Sequence, residues 1–536
     1  MKVTELKFQL AWNRLLSIVE EQAQVLMRTA FSTVVREAGD LSAGVFNRAG
    51  LMLAQAVTGT PGHVNSMADA VAKFLRVYPL SGLKPGDVLF TNDPWDGTGH
   101  LNDFTVVTPI FSADSRCVGL FASTSHIADV GGRGFGADAH DVFEEGLRVP
   151  ISKLFSAGEL DSSLMSIIKA NVRDPVVAEG DLYSLAACND AGGVALLEML
   201  NDIDLVDLEE IGEEILRRSE AAMVKAIAAI PNATARYQMS IDGYDDPVEL
   251  CAEVIVDHAE IRVDFSGTSP ASDRGINVPL AYTQAYASFG VRCIVGNEIP
   301  NNAGSLGTIK VSAPEHCILN AQPPRAVSAR HAVGQMLPDV VLGCLDQLLV
   351  GQAPAEGSSC IWNPVFLSEA GAQRAFVINP IFNGGTGARP SKDGLSTTAF
   401  PSGVRTTSVE VNEATSPLVF SQKEYTTGSA GEGRFRGGLG QTIRIAHRHH
   451  DGFVVSKMFD RVNHPARGRN GAGAGSQGRV YVESAEIGER ALPGKGRDLV
   501  GPGETLVLQT PGGGGLGSPA DRDEAQTIAD RRNGLI

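Results

Sequence analysis

Apolar positions near the start of the chain recur at helical spacing. Leu15, Val19, Leu26 and Ala30, with Ile18 and Ala23 beside them, form one stripe, and Glu20, Glu21 and Arg28 lie off it. The pattern predicts an amphipathic helix over 10–31. Two short apolar runs within 41–53 flank Asn47 and Gly50 and read as a hairpin. A helix is expected over 67–77. Unbroken apolar runs at 86–92, 104–111 and 118–124 predict buried strands. Helical spacing returns over 204–230, with Leu208, Ile211, Ile215 and Ala222 on one face, until Pro231 ends it.

The pattern then changes. Residues 235–270 read as strands with turns at Asp242-Gly243 and Ser266-Gly267, and helices follow over 279–294 and 329–349. From about residue 360 glycine clusters alternate with strand-like runs such as 441–446 and 504–509, and a charged helix occupies 521–532. The expected fold class is α+β. Mixed sheets with flanking helices fill the N-terminal half, and the C-terminal half is β-rich and contains glycine clusters. Boundaries near 231 and 358 divide the chain into 1–231, 232–358 and 359–536.

Composition narrows the partners. The chain has 536 residues, 45 Lys and Arg against 62 Asp and Glu, and a net charge of −17. With no basic stripe, nucleic acid is not expected as a ligand. No apolar run approaches the ~20 residues that span a bilayer, and the start of the chain lacks a signal-peptide layout. The 7 cysteines are scattered without a CxxC, which favours reduced thiols. These features predict a cytoplasmic protein.

The candidate chemistry sits in two packets. Residues 91–103 read TNDPWDGTGHLND and residues 125–132 read SHIADVGG. Each pairs a histidine with an aspartate three residues on: His100 with Asp103, and His126 with Asp129. Both packets lie at expected strand ends. If those strands are antiparallel neighbours, His100, Asp103 and His126 meet at one sheet edge. Two imidazoles and a carboxylate suit a borderline divalent metal. Turn-capping aspartates with incidental histidines would give the same spacing. Glu37 and Asp40 stand three apart at an expected helix end, where they read equally as a solvated face and a turn. His63, between turn residues and ahead of a helix, is either a helix-terminal contact or a proton donor or acceptor. The glycine clusters match neither GxxxxGK followed by Ser or Thr nor GxGxxG after a clear strand. Turns and close backbone packing explain them, so any ATP chemistry would need a second protein. His447, His449 and His450 read as an exposed patch, and no GxSxG elbow occurs.

With these two packets, the segments EGLRVP at 145–150, NVR at 171–173, GDL at 180–182, NNAG at 301–304, Pro323-Pro324 and TPGGGGLGSP at 510–519 complete a pattern. The chain resembles the hydantoinase B/oxoprolinase family over nearly its whole length. Departures are small: Trp95 stands where tyrosine is usual, Asn102 where proline is common, and Arg133-Gly134-Phe135-Gly136 follows Gly132. The resemblance implies a Zn or Mn site with Asp40, His100, Asp103 and His126 as ligands. It also implies a hydantoinase A-like partner that binds ATP and phosphorylates the substrate, in a hetero-oligomer such as a heterotetramer. The expected activity is ATP-dependent opening of a hydantoin, oxoproline or lactam ring. The alternative is a subunit of an acetone- or acetophenone-type carboxylase. Glu37, His63 and Asp129 are the candidate catalytic residues, for moving protons or orienting ligands.

Overall fold

A computed structural model describes residues 4–369, 375–486 and 488–536. The first sheet contains β1 (Leu41–Phe46), β2 (Met52–Gln55), β3 (Val88–Thr91), β4 (Asp103–Phe111), β5 (Cys117–His126), β6 (Ser152–Ser156) and β7 (Glu159–Leu160). Its order is β2-β1-β5-β4-β3-β6-β7, and every neighbouring pair is antiparallel. Its central strands read as unbroken apolar runs because helices cover both faces. Leu41, Ala43, Val45, Phe104 and Val106 pack with the helices Glu5–Thr29 and Pro175–Asp202. Phe46, Val107, Leu120 and Ala122 pack with the helix Pro61–Val77 on the other face. Side chains two residues apart share a face. Asp40 precedes Ser42 by two, Asp103 precedes Thr105 and Val107 by two and four, and His126 follows Thr124 and Ala122. All three therefore fall on the face that Pro61–Val77 covers.

The second sheet contains β8 (Ala233–Ile241), β9 (Val248–Asp257), β10 (Glu260–Asp264) and β11 (Ile309–Ser312), in the order β11-β10-β9-β8. Only its β10–β11 pair is parallel. Burial alternates along β9, as expected for one covered face, and helices Leu280–Arg292 and Leu337–Leu348 share its core.

Two further sheets share one core. Their strands are β12 (Val365–Ser368), β13 (Val377–Ile378), β14 (Leu418–Tyr425), β15 (Gln441–His447), β16 (Phe453–Met458), β17 (Arg479–Ser484), β18 (Gly488–Ala491), β19 (Lys495–Val500) and β20 (Thr505–Gln509). The orders are β13-β12-β16-β19 and β14-β15-β20-β17-β18. Trp362 stacks on Phe459 with ring centroids 4.3 Å apart at the centre of that core. The α+β class is thus the observed one.

Several expected elements differ in extent. The first helix is Glu5–Thr29, begun by Thr4, whose hydroxyl accepts from Lys7 N at 3.3 Å. The helix expected over 67–77 begins at Pro61, so His63 lies inside its first turn. The single helix expected over 329–349 is two, His331–Gly334 and Leu337–Leu348, with Pro338 in the first turn of the second. Proline lacks the N–H that a continuous helix would need there. The helices Ser162–Asn171 and Pro175–Asp202 were not anticipated.

The glycine clusters pack backbone on backbone. Gly513 N donates to Gly438 O, Gly514 N to Glu356 O and Gly515 N to Gly473 O, each at 2.9–3.0 Å. A Cβ on Gly513 would come within 1.9 Å of Thr386 O, so no larger residue fits. Among the described residues, no helix is long and apolar enough to cross a membrane.

Candidate metal centre

β4 and β5 pair so that Asp103 lies directly opposite His126. The backbone N–H of His126 in turn donates to Asp40 O at 3.3 Å. Three neighbouring strands therefore set Asp40, His126 and Asp103 side by side. The sequence placed Asp103 just before a strand and His126 just after one; each is in fact the terminal residue of its strand. His100 reaches the same point from the turn before β4. His63 descends from the covering helix, where Gly62 lets the rings of Tyr282 and Tyr286 approach: a Cβ there would meet them at 2.5 and 2.7 Å.

Asp103 is the hub, with a fully buried side chain. Its Oδ1 lies 2.6 Å from His100 Nε2 and 3.3 Å from His126 Nδ1. Its Oδ2 lies 2.8 Å from His63 Nε2, accepts from Thr98 Oγ1 at 2.9 Å, and is bound by Arg330 Nη2. His100 Nδ1 faces Ser328 O at 2.9 Å. A carbonyl can only accept, so Nδ1 carries the proton. In a neutral ring Nε2 then aims its lone pair at a carboxylate oxygen. Two lone pairs that close repel unless a positive charge lies between them. Burial, aided by Arg330, pushes the His100 pKa down to about 3, against the pull of Asp103.

A metal ion would also supply that charge. One ligand atom each from His100, Asp103 and His126 lie within 4.8 Å of one another. His126 Nε2 and Asp40 Oδ1 are buried without a hydrogen-bond partner. Such orphans are rare in folded proteins. Here they border one cavity of about 30 Å³, room for an ion or a water or two.

His63 differs from the other imidazoles. Its Nδ1 lies 3.1 Å from Thr60 Oγ1 and 3.5 Å from Asp40 Oδ1, and its Nε2 faces Asp103. Burial disfavours its charged form, but Asp103 and Asp40 outweigh burial and raise its pKa. Burial also opposes ionisation of Asp103, yet His100, His63 and Arg330 hold that carboxyl well below the usual range. The two carboxylates thus favour the protonated form of His63.

Several supporting residues were not among the candidate site residues. Arg330 also donates from Nε to Thr98 O at 2.9 Å and stacks over Tyr282 at 4.0 Å. Phe135 sets its ring edge-on to His100 and His126, 5.6 and 5.0 Å between centroids. Glu145 Oε1 accepts from Val327 N and Ser328 N, both at 2.7 Å, and so fixes the turn whose carbonyl orients His100. Burial pushes the Glu145 pKa up to about 8.

Two of the three candidate catalytic residues lie elsewhere. Glu37 does not line the cavity; it pairs with Arg36 at 3.3 Å near the surface. Asp129 orients no imidazole. Its carboxylate is taken by Arg173 Nη1 at 2.5 Å, by Arg173 N, and by Gly131 N at 3.3 Å, which closes a turn. The acceptor on His100 is Ser328 O instead. A residue can stand three positions after a histidine on a strand end and still face away, because the chain turns between them.

The far wall of the cavity comes from the C-terminal part of the chain: Ile361, Asn363, Asn379, Ile381 and Ser402. Three hydrogen bonds zip the face His331, Gln335 and Asp339 to this wall. His331 Nε2 meets Asn363 Oδ1 at 2.9 Å, Gln335 Oε1 accepts from Ile361 N at 2.9 Å, and Ser359 Oγ donates to Asp339 Oδ2 at 2.6 Å.

The whole chain is similar to known proteins. The 5-oxoprolinase PfmaA of Pestalotiopsis fici is 29% identical over 95% of this chain, which spans 41% of that protein. The B-type chain of a putative D-/L-hydantoinase from a Pseudomonas species is 26% identical over 100% of this chain and 93% of its own. The fold matches the ATP-dependent caprolactamase of Pseudomonas jessenii with a TM-score of 0.92 at 22% identity, over 100% of this chain and 95% of that one. It also matches an acetone carboxylase with a TM-score of 0.89 at 17% identity, over 99% and 78%. The family model described as hydantoinase B/oxoprolinase matches residues 4–519, and the chain belongs to that family.

Proposed function

We propose that this chain is the metal-bearing subunit of an ATP-dependent cyclic amide hydrolase, working with a hydantoinase A-like subunit that phosphorylates the substrate. The observation that carries the reading is the buried meeting of Asp40, His63, His100, Asp103 and His126 in one cavity. A ring amide is a poor electrophile, and phosphorylation of its oxygen in the partner would make the ring carbon a better one. Water added there would expel the ring nitrogen and leave an acyl phosphate, which a second water would hydrolyse to carboxylate and phosphate. A zinc or manganese ion held by Asp40, His100, Asp103 and His126 would supply the Lewis acidity that makes water a nucleophile near neutral pH.

The residues of this chain then divide the remaining work. Ser328 O and the turn fixed by Glu145 hold His100 in one tautomer, as ligand histidines require. Arg330 balances the negative charge of Asp103. His63, 2.8 Å from Asp103 Oδ2 and 3.5 Å from Asp40 Oδ1, is the group placed to give a proton to the departing ring nitrogen. Phe135, Val34, Ile361 and Ile381 shield the cavity from bulk water. The reading of ATP as the partner's ligand is supported by the glycine segments, whose backbone is filled by neighbouring backbone.

The test is turnover by the complex co-purified with the partner, using hydantoin, 5-oxoproline, small lactams and ketones. Ring opening coupled to ATP hydrolysis is expected. A chelator should abolish it and zinc or manganese should restore it. Consumption of a ketone only with bicarbonate would make the protein a carboxylase subunit. Undiminished turnover by a metal-free complex would reduce this chain to a scaffold.

A further inference from the structure

A second cavity, of about 280 Å³, shares the segment 58–64 with the metal centre. Thr58, Pro61 and Val64 line it, whereas Thr60 and His63 line the metal centre. Among the described residues, Arg292 is the only charged side chain in its lining. The guanidinium donates from Nη1 to Gly296 O and to Met223 Sδ, the latter at 2.8 Å, and from Nη2 to Ile299 O. Those bonds leave Nε–H and one N–H on Nη2, and Nε is buried without a partner. Burial lowers the Arg292 pKa, and no carboxylate opposes it. Cys293 stands in the same lining, but burial pushes its thiol up to about 12, so near neutral pH it is not the counter-charge. A half-buried cation without a counter-ion is costly, and here it sits in a chain of net charge −17.

The other polar groups of this cavity are donors. Thr58 Oγ1 is buried without a hydrogen-bond partner. Asn301, in the NNAG segment, donates from Nδ2 to Gln55 Oε1 and to Asn65 Oδ1, both at 2.9 Å. That fixes the Gln55 amide by its oxygen and leaves its N–H groups unpaired among the described residues. The helix Pro61–Val77 also starts at this wall, and its N-cap Thr60 makes no capping bond. Negative charge is favoured near a helix start. Two N–H groups from Arg292, the Thr58 hydroxyl and two N–H groups from Gln55 outnumber the roughly four lone-pair sites of a carboxylate. A phosphate, with more oxygens and more charge, is the better complement.

We propose that this cavity binds a phosphate group, held by Arg292, Thr58 and Gln55. Two sources share that chemistry: inorganic phosphate released by the reaction, and the phosphate ester of an activated substrate. The sources rest on the reading of the chain as part of an ATP-dependent hydrolase, and the site itself does not.

Calorimetry on the full chain tests the proposal. A chelator removes any metal that could hold the anion, and the ATP-binding subunit is left out. The probes are inorganic phosphate and methyl phosphate, with acetate and 5-oxoproline for comparison. At least one phosphate should bind at a single site, and more tightly than either carboxylate. Tighter inorganic phosphate supports a site for the released product, and tighter methyl phosphate supports one for the ester. Arg292→Gln should weaken binding roughly tenfold to a hundredfold, and Thr58→Val, close in shape, roughly threefold to tenfold. Zinc or manganese content of the untreated chain should be unchanged in both. Should Arg292→Gln lose its circular dichroism spectrum, Thr58→Val decides alone. No saturable phosphate binding, tighter binding of a carboxylate, or wild-type affinity in the deciding variant overturns the proposal. Turnover separates the two readings. Ring opening by a complex whose chain binds no phosphate keeps the function and loses this site, and Arg292-dependent phosphate binding in a complex that opens no ring does the reverse.

Discussion

His63 is the residue whose protonation the structure ties most directly to its surroundings. Its folded pKa is raised by Asp103 and Asp40 against burial. A group raised in the folded state stabilises below its unfolded value, near 6.5, and that contribution is lost as pH rises through the folded value. In chelator-treated protein, His63→Gln should therefore lower the melting temperature more at pH 6 than at pH 9. An equal loss at both pH values would show that His63 carries no extra proton. The candidate ligands were legible in the sequence because His100 and Asp103 share one packet and His126 ends the next strand. Arg330 was not, because its contact with Asp103 spans 227 residues and no local pattern marks it. Asp129 misled because spacing records distance along the chain and not the direction a side chain takes.

At the scale of elements, the long helices with one apolar face are legible in the sequence, whereas Pro175–Asp202, covered on two sides, is not. Pro175–Asp202 is buried against the first sheet and against Glu5–Thr29, so it lacks the single stripe that marks a surface helix. Its glycines also read as breaks. They are contact points instead: a Cβ on Gly192 would lie 2.6 Å from the Phe121 ring, and one on Gly193 would lie 2.4 Å from Ile110. On an exposed helix, Gly→Ala gains up to about 1 kcal/mol. Here overpacking should win, and Gly192→Ala should cost about 1–2 kcal/mol, read as a lower urea midpoint with an unchanged slope. A higher midpoint would mean that the contact with Phe121 relaxes freely. Helix starts are less legible: the helix expected from 67 begins at Pro61 and carries His63 in its first turn.

Across the whole molecule, the site is a meeting of distant segments. The first sheet and Pro61–Val77 supply the imidazoles and carboxylates. The turn at 327–331 supplies Arg330 and the carbonyl on His100, and residues 361–402 supply the facing wall. The sequence shows a shift in composition near 231 and a rise of glycine after 360. It did not show that the last part closes the cavity of the first, since no periodicity encodes a contact between sheets. The glycine clusters, suggestive of phosphate loops, are backbone-packed segments that hold that last part together.

The proposed chemistry depends on a divalent ion binding where His100, Asp103 and His126 converge. Elemental analysis of the purified chain should find about one zinc or manganese per molecule. His100→Ala combined with His126→Ala should lose it while the circular dichroism spectrum is kept. Full metal content in that double variant would contradict the assignment of the site.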